Sequence, residues 1–269
     1  MDAEIMALPV EKKVEKSKEV IAQAIERYGD KLVAAFTGGK DSTLMLWLAK
    51  QVCRERGYAM PECIFINEGS VFEEVLDYVA RMRREWGLVI HEVKNEDVLR
   101  QVSKVGDIVY VAKLNERNRR ELERIGFRGE SFVFNPESFE GNHLMKTVAM
   151  NVFIEEHGIA AVMTGIRWDE QEARRDEVYF SPREDPPHMR VHPILHFTER
   201  EVWQVLRENR VPVNELYAKG YRSLGAKATT QPVSDKPAWE QDLDSIPERA
   251  GRAQDKEGIM KRLRDLGYM

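Results

Sequence analysis

Residues 32–43 read Leu32-Val33-Ala34-Ala35-Phe36-Thr37-Gly38-Gly39-Lys40-Asp41-Ser42-Thr43. The five apolar residues at the start of this stretch are typical of a buried strand, and the residues from 43 to 54 have the character of a helix. Two glycines between a strand and a helix allow the backbone to turn sharply and to approach a ligand closely. The stretch therefore predicts a strand–turn–helix unit with a binding site at the turn.

The same alternation of strands and helices continues along the chain. Further strands are predicted over 62–66, 88–93, 160–163 and 190–194, and helices over about 10–28, 71–86 and 144–156. A long insertion, roughly 97–142, separates the third and fourth strands and carries a charged helix. This alternation predicts an α/β protein whose mostly parallel sheet is covered by helices on both faces.

The composition excludes several classes of protein. The 269 residues include 41 Lys and Arg and 46 Asp and Glu, which give a net charge of -5, and 42% are hydrophobic. These values describe a globular chain without an overall positive field, so nucleic-acid binding is not expected. We find no apolar run of signal-peptide or membrane-helix length, and we therefore expect a cytoplasmic protein without a membrane span.

The chain has only two cysteines, Cys53 and Cys63, and both are predicted inside regular elements of the core. Two cysteines cannot form a disulfide framework or supply four ligands to an iron–sulfur cluster, so no such cluster is expected. The chain also has six histidines. His188, His192 and His196 recur every four residues, but they flank prolines and a strand, so we expect structural roles for them and no metal site.

The glycine turn has the composition of a phosphate-binding loop. The helix that follows it directs free N–H groups and a partial positive charge toward the turn, and Lys40 adds a full charge. Hydroxyl groups come from Thr37, Ser42 and Thr43, while Asp41 could orient the loop, cap the helix or hold a divalent ion. The spacing matches neither the Walker sequence nor the dinucleotide fingerprint. An ordinary glycine turn is the alternative interpretation.

Residues 37–43 resemble the S-G-G-K-D-S loop of the PP-loop ATP pyrophosphatase superfamily, with Thr37 in place of the first Ser. Within it, the closest resemblance is to the group of phosphoadenosine phosphosulfate (PAPS) reductases and the small subunit of sulfate adenylyltransferase. Residues 67–74 resemble the D-T-G-x-x-F-x-E segment of that group, although Asn67 and Glu68 replace Asp-Thr. Residues 164–174 resemble its G-x-R-x-D-E...R segment.

Two later segments extend the resemblance. Residues 190–203 are similar to the R-x-x-P segment and the helix that follows it, and residues 248–255 are similar to an S-E-R-x-G-R-A-x-D segment of the small subunit. The resemblance implies an adenine nucleotide α-hydrolase-like, flavodoxin-like sheet. The implied organisation is a nucleotide-binding domain over 1–196, with the insertion, and a helical or irregular extension over 197–269 that completes the site.

The resemblance also implies site residues. ATP or PAPS would be held by the loop, the end of the second strand and the end of the fourth, which gives Thr37, Gly38, Gly39, Lys40, Asp41, Ser42, Thr43, Asn67, Glu68, Gly69, Thr164, Gly165 and Arg222. Catalytic roles are implied for Lys40, Arg167 and Arg174, and Mg²⁺ ligation for Asp41, Asp169 and Glu170. The alternative for residues 164–174 is a surface network of ion pairs.

The reaction that the resemblance implies is decided by the absence of a cysteine near the C-terminus. PAPS reductases attack sulfur with a cysteine near the C-terminus, and residues 262–269 contain none. The small-subunit resemblance needs no cysteine and implies adenylyl transfer from ATP to an oxyanion, with release of pyrophosphate, in concert with a GTPase-type large subunit. A PAPS reductase-family protein without its cysteine and a nucleotide-binding subunit without turnover are the alternatives. Homo-oligomerisation is left open.

Overall fold

The computed structural model describes residues 1–252. The parts of the predicted tail that follow, including the cysteine-free stretch 262–269 and residues 253–255 of the small-subunit-like segment, lie outside the described residues. Among residues 1–252, no helix combines the length and the apolar composition that crossing a bilayer requires.

Most of the α-helices among the described residues lie in the connections between strands. In chain order they are α1 (Ala3–Met6), α2 (Val10–Tyr28), α3 (Lys40–Arg56), α4 (Glu73–Trp86), α5 (Glu96–Leu99), α6 (Glu116–Arg124), α7 (Phe139–Asn142), α8 (Ala149–His157) and α9 (Glu199–Glu208). A π-helical turn, His143–Val148, joins α7 to α8. Thr198 and Glu201 form the predicted capping box at the start of α9, with both reciprocal hydrogen bonds present.

The central sheet has six strands in the order β3-β2-β1-β6-β8-β7. The eight strands of the described chain are β1 (Leu32–Ala35), β2 (Glu62–Ile66), β3 (Ile90–Val93), β4 (Ile108–Tyr110), β5 (Ser131–Val133), β6 (Ala161–Met163), β7 (Phe180–Glu184) and β8 (Pro187–Val191). All neighbours in the sheet pair in parallel except β7, which is antiparallel to β8. The mostly parallel sheet with helices on both faces is therefore confirmed.

Alternation along β1 shows how the sheet is buried on both faces. Leu32 and Ala34 belong to the larger core cluster, which contains buried residues of α2, α3, α4 and α9. Val33 faces the opposite side and packs in a second cluster with Phe153 and Ile154 of α8. A strand that is apolar at every position is therefore required here, because neither face of the sheet meets water.

The insertion forms a small unit with its own core. Strands β4 and β5 make a separate antiparallel pair, and buried residues such as Val109, Leu122 and Phe132 pack in a third cluster that also includes Leu144 and Met145 of the π-helical turn. Neither strand was predicted from the sequence, because three-residue strands carry too little periodicity to be recognised. The charged helix begins at Glu116, where the Asn115 side chain accepts a hydrogen bond from the Asn118 N–H at 2.8 Å.

The predicted fifth strand, 190–194, is displaced in the structure. The strand β8 ends at Val191, and the residues that follow form a turn in which the Leu195 N–H donates to the His192 carbonyl at 3.4 Å. Pro193 cannot donate a hydrogen bond to a neighbouring strand, which accounts for the early end. The division of the chain at residue 196 into a domain and an extension stays a prediction.

Candidate functional site

The candidate site lies at the carboxyl ends of the central strands. Strand β1 pairs with β2 on one side and with β6 on the other, so the chain order reverses between β1 and β6. In open α/β sheets, ligands bind outside the strand ends at such a reversal. A cavity of about 380 Å³ opens there, and its lining includes the loop after β1, the loop after β6 and the segment 247–252.

The loop after β1 is held in shape by its own hydroxyl groups. The Thr37 and Ser42 hydroxyl oxygens lie 3.1 Å apart, and the Ser42 hydroxyl donates to the Gly39 carbonyl at 3.0 Å. Gly38 has a φ of +74°, which favours glycine, and a Cβ there would lie 3.0 Å from Val75. The Tyr217 hydroxyl accepts a hydrogen bond from the Lys40 backbone N–H at 2.8 Å. The turn is thus fixed before any ligand arrives.

Gly165 brings the loop after β6 against the start of α3. A Cβ built on Gly165 would lie 2.8 Å from the Asp41 carbonyl carbon and 2.9 Å from the Ser42 nitrogen. These are backbone atoms that cannot move aside, so the close approach requires glycine at this position. Thr164 and Gly165 therefore line the cavity directly beside the loop, and their contact with a nucleotide stays a prediction.

Lys40 lies at the floor of the cavity and is surrounded by carboxylates. Its ammonium group is 1% exposed, pairs with Glu248, and lies 3.6 Å from Asp41 and 3.7 Å from Glu199. Burial alone would lower the pKa of Lys40, but the adjacent Asp41 and Glu248 carboxylates raise it above the usual value. Lys40 is therefore a fixed positive charge at the end of the loop.

Arg167 lies behind the cavity and does not line it. Its guanidinium is fully buried and pairs with Asp41, with Asp169 at 2.9 Å and with Glu248. Glu248 thus bridges Lys40 and Arg167. Burial would raise the pKa of Glu248, but Arg167 and Lys40 lower it to about 2. The carboxylate of Glu248 thus lies between two buried cations.

Arg174, in the segment between β6 and β7, also lines the cavity. Its guanidinium pairs with Glu170, which also accepts a hydrogen bond from Arg249 at 3.2 Å. Burial would raise the pKa of Glu170, but Arg174 and the other nearby arginines lower it. The two cations share one carboxylate, so each retains donors for a ligand anion.

Arg222, although predicted to bind the nucleotide, is placed in the protein interior. Its guanidinium makes a forked contact with Glu199, with Nη2 2.8 Å from Oε2, and donates to the carbonyls of Asp242 and Leu243. The side chain is 1% exposed and does not line the cavity, whereas the residues that follow it, Ser223 to Gly225, do. The structure thus gives Arg222 the position of a residue that anchors this segment.

Five other residues predicted from the sequence, Gly38, Thr43, Asn67, Gly69 and Asp169, lie outside the cavity lining. Thr43 is buried against Tyr78, with hydroxyl oxygens 2.9 Å apart. The Asn67 side chain donates to Glu92 at 2.7 Å, and Gly69, with a φ of +81°, packs against Leu99 and Phe134. Asp169 accepts hydrogen bonds from Arg167 and from the Glu199 N–H at 2.8 Å. Only Glu68 of the 67–69 group lines the cavity.

Sequence reasoning missed several charged residues that line the cavity. Lys146 belongs to the π-helical turn and lies 2.6 Å from Glu68. Arg252 donates to the Leu224 carbonyl at 2.8 Å and to Glu137 at 3.1 Å, and Gly225 leaves room for its guanidinium, since a Cβ there would lie 2.2 Å from Cζ. The resemblance of residues 248–255 to the small-subunit segment could have identified Glu248, Arg249 and Arg252 as site residues. Nothing in the sequence singled out Lys146.

The carboxylates fit a nucleotide-bound Mg²⁺ in part. Asp41 and Glu170 both line the cavity beside the loop, whereas Asp169 does not. Within residues 1–252, no group of three or more His, Cys, Asp or Glu side chains could enclose a metal ion on its own. One or two carboxylates together with phosphate oxygens are the usual donor set of Mg²⁺. Asp41 and Glu170 can supply that set.

Neither cysteine of the chain lines the cavity. Cys53 and Cys63 are both free and buried. Burial raises the pKa of Cys63 to about 12, and burial also raises the pKa of Cys53. Since the thiolate is the reactive form, neither residue is suited to attack a ligand.

Comparisons with known proteins agree with this architecture. Residues 31–232 match the family model described as the phosphoadenosine phosphosulfate reductase domain. The adenosine 5'-phosphosulfate reductase of Geobacillus kaustophilus is 24% identical over 87% of this chain and 87% of its own length. Subunit 2 of the sulfate adenylyltransferase of Rhizobium meliloti is 23% identical over 81% of this chain and 71% of its own length.

A solved structure shares the fold. The FMN adenylyltransferase of Candida glabrata, in complex with FAD and inorganic pyrophosphate, superposes with a TM-score of 0.65 and 15% identity, over 94% of each chain. At that identity the likeness concerns the fold alone. The sheet order, the glycine loop after β1 and the match over residues 31–232 point to one conclusion. The chain belongs to the PAPS reductase domain family, within the PP-loop superfamily.

Proposed function

We propose that the protein transfers the adenylyl group of ATP to an oxyanion and releases pyrophosphate. The observation that carries the proposal is the cavity itself, which brings the loop 37–43 and cationic side chains together at the strand ends and has no thiol in its lining. Adenylyl transfer needs alignment of the reactants and stabilisation of the leaving group, and it needs no protein nucleophile.

In this reaction, an oxygen of the acceptor attacks the α-phosphorus of ATP, and the bond from the α-phosphorus to the bridging oxygen of the β-phosphate breaks. The electron pair leaves with pyrophosphate. We assign the pyrophosphate to the loop 37–43, where the start of α3 and Lys40 stabilise its charge. Arg174 and Arg249, which face the same cavity, would hold the acceptor oxygens or the α-phosphate.

Glu248 must leave its place for this to occur. Its carboxylate binds the same two cations, Lys40 and Arg167, that the pyrophosphate would approach. Once the ligand replaces it, the buried cations keep a full complement of negative charge, so the exchange avoids a large desolvation cost. Mg²⁺, held between Asp41, Glu170 and the phosphates, would add charge neutralisation on the leaving group.

The acceptor and the partner follow from the relatives. A sulfate adenylyltransferase subunit suggests sulfate as the acceptor, and the designation of that relative as subunit 2 favours a further subunit, which we expect to be a GTPase. The FMN adenylyltransferase suggests a phosphate monoester instead. Since ATP is the proposed cosubstrate, we expect the reaction to take place in the cytoplasm.

Pyrophosphate release provides the test. The purified protein is incubated with Mg²⁺, ATP and either sulfate or FMN, with and without a GTPase subunit and GTP, and the adenylylated product is identified by mass spectrometry. Product that depends on the acceptor and is lost in Lys40→Ala supports the proposal. ATP binding without product under every one of these conditions contradicts it and leaves a nucleotide-binding subunit without turnover.

A second candidate rests on the relatives named adenosine 5'-phosphosulfate reductase. The same cavity would hold a sulfonucleotide, and a dithiol protein would supply two electrons, break the sulfur–oxygen bond and release sulfite and the nucleotide. The chain's own cysteines cannot serve as the thiol, because both are buried. Sulfite release with thioredoxin that survives Cys53→Ser and Cys63→Ser would favour this candidate over adenylyl transfer.

A further inference from the structure

A buried chain of polar side chains leads from strand β7 to the cavity wall. Arg183 of β7 lies 3.1 Å from Glu177, whose Oε2 atom lies 3.4 Å from Nε2 of His192. The other ring nitrogen of His192, Nδ1, lies 2.7 Å from the hydroxyl of Thr164. Thr164 lines the cavity. Glu177 and His192 are 7% and 2% exposed, so water does not compete for these contacts.

The fold holds each member of this chain in place. Met163 and Val191 are paired in the parallel register of β6 and β8, so Thr164 and His192 follow the ends of adjacent strands. The Thr164 N–H donates to the Val191 carbonyl at 2.8 Å, and the His192 N–H donates to the Tyr179 carbonyl at 2.9 Å. Trp168 donates to the Glu177 carbonyl at 2.9 Å. Thr164, His192 and Glu177 are therefore each anchored through a backbone hydrogen bond.

The charges determine where the protons lie. Burial would raise the pKa of Glu177, but contacts with His192 and Arg183 lower it to about 2, so Glu177 is a carboxylate that can only accept hydrogen bonds. Burial, reinforced by Arg190 and Arg183 and opposed by Glu177, lowers the pKa of His192 to about 4, so the ring is neutral. A neutral imidazole that faces a carboxylate with Nε2 carries its proton there and leaves Nδ1 as an acceptor.

We propose that His192 orients the Thr164 hydroxyl so that it accepts a hydrogen bond from a donor of the bound nucleoside. Because Nδ1 of His192 takes the only proton of the hydroxyl, the oxygen presents lone pairs to the cavity. It would repel a phosphate oxygen and select a ribose hydroxyl or the amine of the base. His192 is a positioning residue for nucleoside specificity, and this role rests on the proposed binding of an adenine nucleotide.

The test compares ATP with analogues that each lack one donor. The analogues are 2'-deoxy-ATP, 3'-deoxy-ATP and purine riboside triphosphate, which lacks the amine, and their affinities are measured by calorimetry for the wild type and for Thr164→Val. One analogue should bind the wild type about tenfold more weakly than ATP does. That preference should fall to less than about twofold in Thr164→Val, because the oxygen that accepts the donor is gone.

His192 is tested separately by the same ratio of affinities. His192→Leu removes the acceptor from Thr164 and should reduce the preference as Thr164→Val does, whereas His192→Asn places an amide oxygen near Nδ1 and should restore most of it. Thr164→Ser keeps the hydroxyl and should keep the preference. If Thr164→Val fails to fold, His192→Leu provides the test in its place. Affinity for inorganic pyrophosphate, which has no nucleoside and which we assign to the loop 37–43 and its neighbouring cations, should stay unchanged in every variant.

Two outcomes would overturn the inference, and they differ in what else they affect. A preference among the nucleotides that is the same in the wild type, Thr164→Val and His192→Leu would mean that the two residues have only a structural role, and adenylyl transfer would be untouched. Failure of the wild type to bind ATP at all would overturn the proposed function, and the inference with it.

Discussion

Lys40 has two roles at the scale of the single residue, because the structure buries its charge among carboxylates. The ammonium group is paired with Glu248 and lies near Asp41, yet it faces the cavity. On the proposed function, a cation in this position contributes to ligand affinity, and in the structure it balances buried negative charge. Its removal should therefore change two measurable quantities.

Lys40→Ala should weaken the binding of ATP by about 1–3 kcal/mol, the range for a charge-assisted hydrogen bond. It should also reduce the free energy of unfolding by about 3–5 kcal/mol, because Glu248 loses one partner of a buried ion pair. Calorimetry and urea denaturation measure the two effects. The exposed Lys50 of the same helix, changed to Ala, is the matched control. ATP affinity that is the same in Lys40→Ala and in the wild type would remove Lys40 from the site.

A second change separates the two effects. In Lys40→Ala with Glu248→Gln, the buried carboxylate is absent too, so much of the lost stability should return while ATP binding stays weak. If stability does not recover, the pair of Lys40 and Glu248 does not carry the expected buried charge.

The sequence could identify Lys40, but it could not distinguish among the arginines. Lys40 follows two glycines at a strand end, and that position by itself predicts a contact with an anion. Arg174 and Arg222 are chemically identical in the sequence, but Glu199, which is distant along the chain, accepts hydrogen bonds from Arg222 within the interior. The burial of Arg222 depends on tertiary contacts with distant residues, so no local sequence pattern predicts it.

At the scale of the element, the segment 247–252 acts as a strap across the cavity. Glu248, Arg249 and Arg252 all line the cavity, and this segment lies beyond the residues that match the family model. The strap is held by Arg252, which donates to the Leu224 carbonyl, and by the Gln231 N–H, which donates to the Gly251 carbonyl at 2.8 Å. On the proposed function, we expect the carboxylate of Glu248 to compete with an anionic ligand and the two arginines to attract one.

Glu248→Gln should raise the affinity for inorganic pyrophosphate about tenfold, because the neutral amide competes less for Lys40 and Arg167 than a carboxylate does. The same change should lower the thermal stability of the ligand-free protein, since the two cations lose their shared partner. Calorimetric titration and thermal unfolding measure these effects. Glu240→Gln, at an exposed position of the same region, is the control. Weaker pyrophosphate binding would show that Glu248 assists the ligand and does not replace it.

Gly165→Ala tests the contact between the β6 loop and the start of α3. The new methyl group would lie 2.8–2.9 Å from backbone atoms of Asp41 and Ser42, so the phosphate loop must shift. We expect ATP affinity to fall at least tenfold, since anion binding by backbone amides depends on their positions. Gly57→Ala, at a helix end with open space around it and a φ of +72°, should cost about 1 kcal/mol of stability without a change in affinity. Equal affinities in Gly165→Ala and the wild type would contradict the prediction.

Elements with strong periodicity were predicted well, and short ones were not. The helix α2 and the strand β2 have the predicted bounds, because each presents an apolar pattern that the local sequence carries in full. The antiparallel pair β4–β5 and the π-helical turn pack together in the third core cluster, and the turn places Lys146 beside Glu68. The contribution of this turn to the site could not be predicted, because it depends on that packing.

At the scale of the whole molecule, buried histidines connect the stability of the fold to pH. His192 packs beside the cavity, while His196 links the Lys13 carbonyl, 2.9 Å from Nε2, to the Tyr179 hydroxyl, 2.9 Å from Nδ1. Burial is the largest influence on both rings and lowers the pKa of each to about 4. In the unfolded chain the same groups titrate near 6.5.

The sign of the pH effect follows from these values. A histidine with a lowered pKa in the folded state contributes stability above the unfolded pKa, and that stability is lost as the pH falls through the folded pKa. Between pH 6.5 and 4, these two histidines bind more protons in the unfolded chain than in the folded protein, so a lower pH should favour unfolding. We expect a loss of about 1–2 kcal/mol for each of these two histidines by pH 5.

Urea denaturation at pH 7 and pH 5 measures this loss, and His196→Gln isolates one contribution. Gln keeps an amide nitrogen near Nε2 that can donate to the Lys13 carbonyl but does not titrate, so the variant should lose less stability between the two pH values than the wild type does. His157→Gln, at an exposed position, is the matched control for the removal of a histidine. If His196→Gln loses as much stability on acidification as the wild type, other groups cause the pH dependence, and the buried neutral ring between Lys13 and Tyr179 does not contribute to it.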